Sequence, residues 1–265
     1  MQRQRQSLRR REENATSPVK AFGPDGIIGE QYGDARPRIL ALHGWGRTHR
    51  DFAALLEGFD AIALDLPGFG STPTPEEAIS AAGYALKIAP VLDELELPAV
   101  LIGHSFGGRA AVALAARNPE KVGALVLTGV PLLRLDEGGR SRTALGYRLL
   151  RTAHRLGLVK DDLMERARQR YGSADYKAAS GIMREILVKA VNETYEDEMR
   201  AVKCPVELVW GEFDTAAPPA VGQGALEYFE NAKLTVVEGC DHYTPANAPE
   251  ALREALRRQL QGLAE

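Results

Sequence analysis

The sequence predicts an α/β protein with a mostly parallel central sheet flanked by helices. Three observations carry that expectation. From residue 38 onward, six short apolar runs alternate with amphipathic segments, which is the rhythm of βα units. The runs are almost continuously hydrophobic, as strands covered on both faces must be. A chain of 265 residues that is 45% hydrophobic also has enough apolar surface for one sizeable core.

The strands are expected at RILALHG (38–44), AIALDLP (61–67), AVLIGH (99–104), GALVLTG (123–129), VELVWG (206–211) and KLTVVEG (233–239). Helical spacing of apolar residues, at steps of three and four, marks segments near 49–57, 76–95, 107–118, 219–229 and 247–261. One interval breaks the alternation. Residues 131–203 carry no convincing strand, only helical patterns such as Leu145, Leu149 and Leu156, a break at Gly172, and the run MREILVKAVNETYEDEM. We therefore expect a core formed by 21–130 and 204–265, interrupted by a helical lid at 131–203. An insertion after the fourth expected strand would sit over the carboxyl ends of the parallel strands, where ligands bind in such sheets.

Residues 1–20 are polar and rich in arginine (Arg3, Arg5, Arg9, Arg10, Arg11). They lack the apolar stretch of a secretory signal and are expected to form a disordered tail. A net charge of -3 gives no general case for nucleic-acid or anionic-membrane binding, and no apolar run approaches membrane-spanning length. The two cysteines, Cys204 and Cys240, are too few for a disulfide framework and lack metal-ligand spacing. The cysteine usage points to a cytoplasmic protein; a monomer or homodimer is expected, and the chemistry read below calls for neither metal nor organic cofactor.

The stretch GHSFG, Gly103 to Gly107, fits GxSxG and stands between an expected strand and an expected helix. A sharp strand-to-helix turn would present the Ser105 hydroxyl to a cleft, with small neighbours avoiding clashes. A hydroxyl is a weak nucleophile at neutral pH, so it requires a base and a group to orient that base. Of five histidines, only His242 follows the insertion, in the loop EGCDHYTP. His43 reads as structural and His104 lies inside the turn, while His49 and His154 read as helical surface residues. Asp214, just past the VELVWG strand, is the expected acid, with Glu212 and Asp241 as rivals. The order Ser105, Asp214, His242 is the chain order of nucleophile, acid and base for this arrangement. The negative charge that develops on a carbonyl oxygen needs fixed N–H donors; those of Phe106 and of Trp45, in LHGWG, are the candidates.

Together HGWG, DLPGFGST, GHSFGG, WGEFDTAAP and GCDHYTP resemble the α/β-hydrolase superfamily in its lidded, single-domain form, from about residue 38 to 262. The resemblance implies a structural turn at Asp65 and Gly68 to Gly70. Ser105 argues against the haloalkane dehalogenases and epoxide hydrolases, which place an aspartate there. LHGWG with this elbow is similar to pimeloyl-acyl-carrier-protein methyl ester carboxylesterases. From Arg134 to Arg170 the expected lid has ten Lys or Arg against five Asp or Glu, a face suited to an acidic or carrier-bound substrate. The expected activity is hydrolysis of small or medium carboxylic esters through an acyl-enzyme. A carbon-carbon bond hydrolase or thioesterase on the same residues, and a slow-turnover sensor or receptor, are the alternatives.

Overall fold

The structure is a computed structural model that describes residues 19–134 and 174–265, with 153–154, 156, 158–160 and 162–163 between them. Eight strands form one sheet in the order β1-β2-β4-β3-β5-β6-β7-β8. They are β1 (Val19–Phe22), β2 (Ile27–Tyr32), β3 (Ile39–Leu42), β4 (Ala61–Leu64), β5 (Ala99–His104), β6 (Val122–Thr128), β7 (Val206–Gly211) and β8 (Ala232–Val237). Strands β3 to β8 correspond to the six expected runs and pair in parallel. The β1–β2 hairpin was not expected. It adds two antiparallel strands on the β4 side, and Val19 and Lys20 belong to it rather than to a disordered tail. Its weak signature has a physical cause: three of the four β1 residues are exposed, so no apolar run announces them. The turn that joins the strands, Gly23 to Gly26, does carry a signal, Gly-Pro-Asp-Gly, with both glycines at positive φ.

Alternation along the strands builds two apolar layers. Leu40, Leu42, Leu101, Leu125 and Leu127 face one side. There α2 (Ala81–Ile88) and α3 (Phe106–Arg117) supply Tyr84, Ile88, Ala110 and Leu114. Ile39, Ala41, Val100, Ile102 and Val126 face the other. They are covered by α1 (Ala53–Leu56), which continues a 3-10 turn at His49–Phe52, and by the Leu252 and Leu256 stripe of α9 (Pro249–Gly262). Each fully buried Leu or Ile contributes about 1.5–3 kcal/mol, which is why both strand faces are apolar.

Two helical segments begin later than the sequence spacing suggests. The 76–95 stretch starts its α-helix at Ala81, where the Ser80 side chain accepts from Gly83 N at 3.1 Å and so satisfies an otherwise orphaned donor. The 247–261 stretch is preceded by the short α8 (Thr244–Asn247) and opens at Pro249, a residue suited to the first helical turn.

Between β6 and β7 the described residues contain no strand; they include α4 (Ala174–Ala178), α5 (Gly181–Asn192) and α6 (Glu196–Ala201), with residues 153–154 and 162–163 also helical. The run MREILVKAVNETYEDEM falls on α5 and α6. Leu145, Leu149, Gly172 and residues 1–18 lie outside the described residues, whereas Leu156 is described and exposed. Helix α5 is tied to the core by buried Ile186 and Ala190 and by Arg109 of α3, whose Nη1 donates to Ala190 O at 2.6 Å. After β7 comes α7 (Pro219–Ala225). Among the described residues, no helix is long and apolar enough to cross a membrane.

Candidate active site

Strand β5 ends at His104 and α3 begins at Phe106, so the chain turns within one residue. Ser105 absorbs that turn at φ 49°, ψ -115°, and it is the one non-glycine residue at positive φ among those described. Such a conformation costs about 1–3 kcal/mol and persists only where the surroundings enforce it. Ser105 N donates to Thr128 O on β6 at 3.0 Å, and Ser105 O accepts from Gly108 N at 3.1 Å. The flanking glycines permit the approach: a Cβ at Gly103 would lie 2.5 Å from Gly108 Cα, and one at Gly107 would lie 2.2 Å from Leu42 O.

The structure brings Ser105, His242 and Asp214 together. His242 Nε2 lies 3.1 Å from Ser105 Oγ, and His242 Nδ1 lies 2.8 Å from Asp214 Oδ2. Asp214 is buried, and its other oxygen accepts from Ala216 N at 2.9 Å and Ala217 N at 2.8 Å. Those two amides fix the carboxylate, and the carboxylate fixes the Nδ1–H tautomer of His242. The Nε2 lone pair is thereby aimed at the serine hydroxyl. The rival acids point elsewhere. Glu212 accepts from Gly239 N at 3.0 Å; Asp241 is exposed and accepts from Tyr243 N at 2.9 Å and Asn247 Nδ2 at 2.7 Å.

Phe106 opens α3, so its N–H has no acceptor within the helix. Neither that N–H nor the Trp45 N–H has an acceptor among the described residues. The half-buried Trp45 indole stands edge-on to Phe69, with centroids 4.9 Å apart, and to Phe106 at 5.1 Å, so it packs as a wall beside the elbow.

The remaining histidines divide as follows. His43 is structural: its Nδ1–H donates to Gly44 O at 2.7 Å and its Nε2 accepts from Leu66 N at 2.9 Å. That pairing needs a neutral ring, and burial lowers its pKa to about 4. The expectation for His49 is corrected. It is buried, with Nδ1 2.8 Å from Asp65 Oδ1, because the buried Asp65 needs donors. Burial alone would raise the Asp65 carboxyl, but donation from His49 N, Ser71 N and the His49 ring outweighs it and holds the group below the usual range. Asp65 thus organises a turn, as expected. His154 is helical and half-buried.

Two residues at the site were not singled out by sequence. Gly129, at the carboxyl end of β6 and at φ 58°, leaves room for the Asp214–His242 pair. Arg47 binds Asp51 at 2.6 and 2.7 Å and lies over the Tyr243 ring, 5.2 Å from its centroid. It links the Trp45 loop to the His242 loop. Among the described residues, no group of three or more His, Cys, Asp or Glu is placed to hold a metal ion.

A sequence model of the alpha/beta hydrolase family matches residues 39–255. The chain belongs to that family. The match runs from β3 into α9 and includes every residue of the Ser105, His242 and Asp214 chain. As an α/β hydrolase it is similar to a pimeloyl-[acyl-carrier protein] methyl ester esterase of Neisseria meningitidis, 28% identical over 258 residues, covering 87% of this chain and 96% of the relative. It is also similar to a 2-hydroxy-6-oxononadienedioate/2-hydroxy-6-oxononatrienedioate hydrolase of Cupriavidus pinatubonensis, 28% identical over 243 residues, with 77% and 80% covered. Among solved structures, a thermophilic esterase from Thermogutta terrifontis superposes with a TM-score of 0.65 at 23% identity, covering 92% of this chain and 98% of that one. At that identity the likeness speaks to fold alone.

Proposed function

We propose that this α/β hydrolase cleaves carboxylic esters of small or medium acyl groups through an acyl-enzyme, with Ser105 as nucleophile. The observation that carries the reading is the continuous chain from Ser105 Oγ through His242 to the buried Asp214, at 3.1 and 2.8 Å, on a strained elbow. As Oγ attacks the ester carbonyl, its proton passes to His242 Nε2, and Asp214 stabilises the imidazolium. The carbonyl oxygen, now negative, is received by the N–H groups of Phe106 and Trp45; each such donor is worth roughly 3–4 kcal/mol of barrier. His242 then returns the proton to the departing alkoxide oxygen, releasing the alcohol. A water deprotonated by the same nitrogen attacks the acyl-enzyme, and collapse of the second tetrahedral adduct releases the acid and restores Ser105. The residues themselves supply nucleophile, base and oxyanion donors, so this reading needs no metal or organic cofactor.

In this reading residues 131–203 act as a lid that sets acyl length, and the basic residues between Arg134 and Arg170 favour an acidic or carrier-bound substrate. The free thiols of Cys204 and Cys240 suit a cytoplasmic setting. The name of the Cupriavidus relative supports a second reading, carbon-carbon bond hydrolysis by the same residues.

The test is turnover of p-nitrophenyl esters of increasing acyl length by the wild type and Ser105→Ala. We expect kcat to fall by about 10⁴-fold or more in the variant, with the chain-length optimum reporting pocket depth. Equal activity in both proteins would refute the mechanism. Consumption of a dienone acid without ester turnover would select the second reading.

A further inference from the structure

We propose that His104 is a positioning residue that holds His242 over Ser105, through a hydrogen bond from its Nε2–H to the His242 backbone carbonyl. The proposal rests on the reading that Ser105 and His242 carry the hydrolysis. Alternation along β5 turns the vacant side of Gly103 toward α3, where its Cβ would meet Gly108. His104 therefore points to the opposite face, where Val100 and Ile102 pack. There it is 2% exposed, and its Nε2 lies 2.9 Å from His242 O, across 138 residues of sequence.

A carbonyl can only accept, so Nε2 carries the hydrogen and Nδ1 is bare. That Nδ1 is buried and has no hydrogen-bond partner among the described residues. An unsatisfied buried acceptor is destabilising, and an apolar side chain would avoid the penalty. What the imidazole provides in return is one directed bond to the residue whose alignment matters most.

The same ring touches the other half of the site. A Cβ on Gly44 would come within 2.8 Å of His104 Nδ1 and 3.0 Å of its Cε1, so the backbone before Trp45 lies directly against the imidazole. One buried ring thus contacts the nucleophile turn, the Trp45 loop and the His242 loop. Asp214 fixes His242 only at Nδ1, which leaves the ring free to swing about that contact. The bond to its backbone carbonyl fixes where the His242 backbone sits, and the His104 ring packed beside the His242 ring limits the swing, which together keep Nε2 near 3.1 Å from Oγ. The two rings are 4.9 Å apart, so His104 must stay uncharged while His242 becomes an imidazolium. Burial, reinforced by the nearness of His242, lowers its pKa to about 4.

The test compares His104→Met, which keeps length and removes the donor, with His104→Gln, whose amide N–H reaches the position of Nε2. Where Met fails to fold, His104→Asn, too short for the carbonyl, replaces it. Steady-state ester kinetics, the rate of Ser105 labelling by a fluorophosphonate, and the thermal midpoint are read for each, beside the wild type and Ser105→Ala. We expect the donorless variant to lose about 10- to 100-fold in kcat and in labelling rate. Its KM should stay within about twofold and its midpoint should not fall with the rate, while Gln recovers most of the loss. A donorless variant as fast as wild type, or a Gln variant no better than it, would overturn the proposal and leave the Ser105 reading intact. A wild type that resists the fluorophosphonate, or ester turnover that survives Ser105→Ala, would overturn both.

Discussion

Gly129 offers the sharpest test of how the site is held. It follows β6 at φ 58°, and a Cβ there would lie 3.0 Å from both Asp214 Oδ2 and His242 Nδ1, the two atoms of the 2.8 Å bond. Gly129→Ala therefore acts twice. The left-handed backbone costs a β-carbon about 1–2 kcal/mol, which for a chain of this size lowers the thermal midpoint by about 2–8 °C. The methyl group must also push the pair apart by a few tenths of an ångström, weakening the bond that orients the imidazole. We expect kcat to fall by about 10- to 100-fold with KM nearly unchanged. Gly26→Ala is the control: Gly26 has φ 64° in the β1–β2 turn, with nothing within 4 Å of its Cβ position, so it carries the strain without the contact. It should lose a similar number of degrees and keep its kcat. Calorimetry and steady-state kinetics on both variants decide the matter. If Gly129→Ala retained wild-type kcat, or Gly26→Ala lost as much, the packing argument would fail.

Two further expectations follow from the same site. Asp214→Asn should cost about 10⁴-fold in kcat by permitting the wrong imidazole tautomer, whereas Asp241→Asn should stay within about twofold of wild type, and ester kinetics on the pair would expose a wrong assignment of the acid. His43 and His104 are buried neutral, with pKa values lowered from 6.5 to about 4, so between those values the unfolded chain binds protons that the folded chain does not. Stability should therefore rise with pH across that window and be lost as pH falls from 6.5 to 4, by up to about 3 kcal/mol per histidine. Urea unfolding at pH 7 and pH 5 measures this, and His43→Gln should flatten the slope; an unchanged slope would assign the acid sensitivity elsewhere.

The parallel strands were legible because burial on both faces writes itself as continuous apolar runs, and β5 and β7 coincide with the expected segments residue for residue. Ser105, Asp214 and His242 were legible for a related reason. Each stands directly after a strand or in the loop beyond one, so chain order and local pattern specify where its side chain arrives. His49 was misread because its helical spacing says nothing of Asp65, sixteen residues away. Gly129 and the role proposed for His104 were unread because the one leaves room for atoms of distant loops and the other bonds a residue 138 positions away, and no local pattern records either.

The unexpected hairpin shows what such omissions hide. Asp65 N donates to Ile28 O of β2 at 2.7 Å, and Ile28 N donates to Thr72 Oγ1 at 2.9 Å. The Thr72 hydroxyl in turn donates to Asp65 O at 2.7 Å. Asp65 Oδ1 accepts from His49 N at 2.9 Å, and Glu30, also on β2, lies 3.7 Å from His49 Nε2. His49 sits four positions after Trp45. The antiparallel edge pair of the sheet is thus linked through Asp65, by its backbone on one side and its buried carboxylate on the other, to His49 and the loop proposed to receive the oxyanion. Buried, directed hydrogen bonds of this kind resist displacement because breaking one strands a polar group away from water. The hairpin is therefore tied to the turn that begins four residues after Trp45, and under the proposed mechanism this would help hold the Trp45 N–H in place before any substrate arrives.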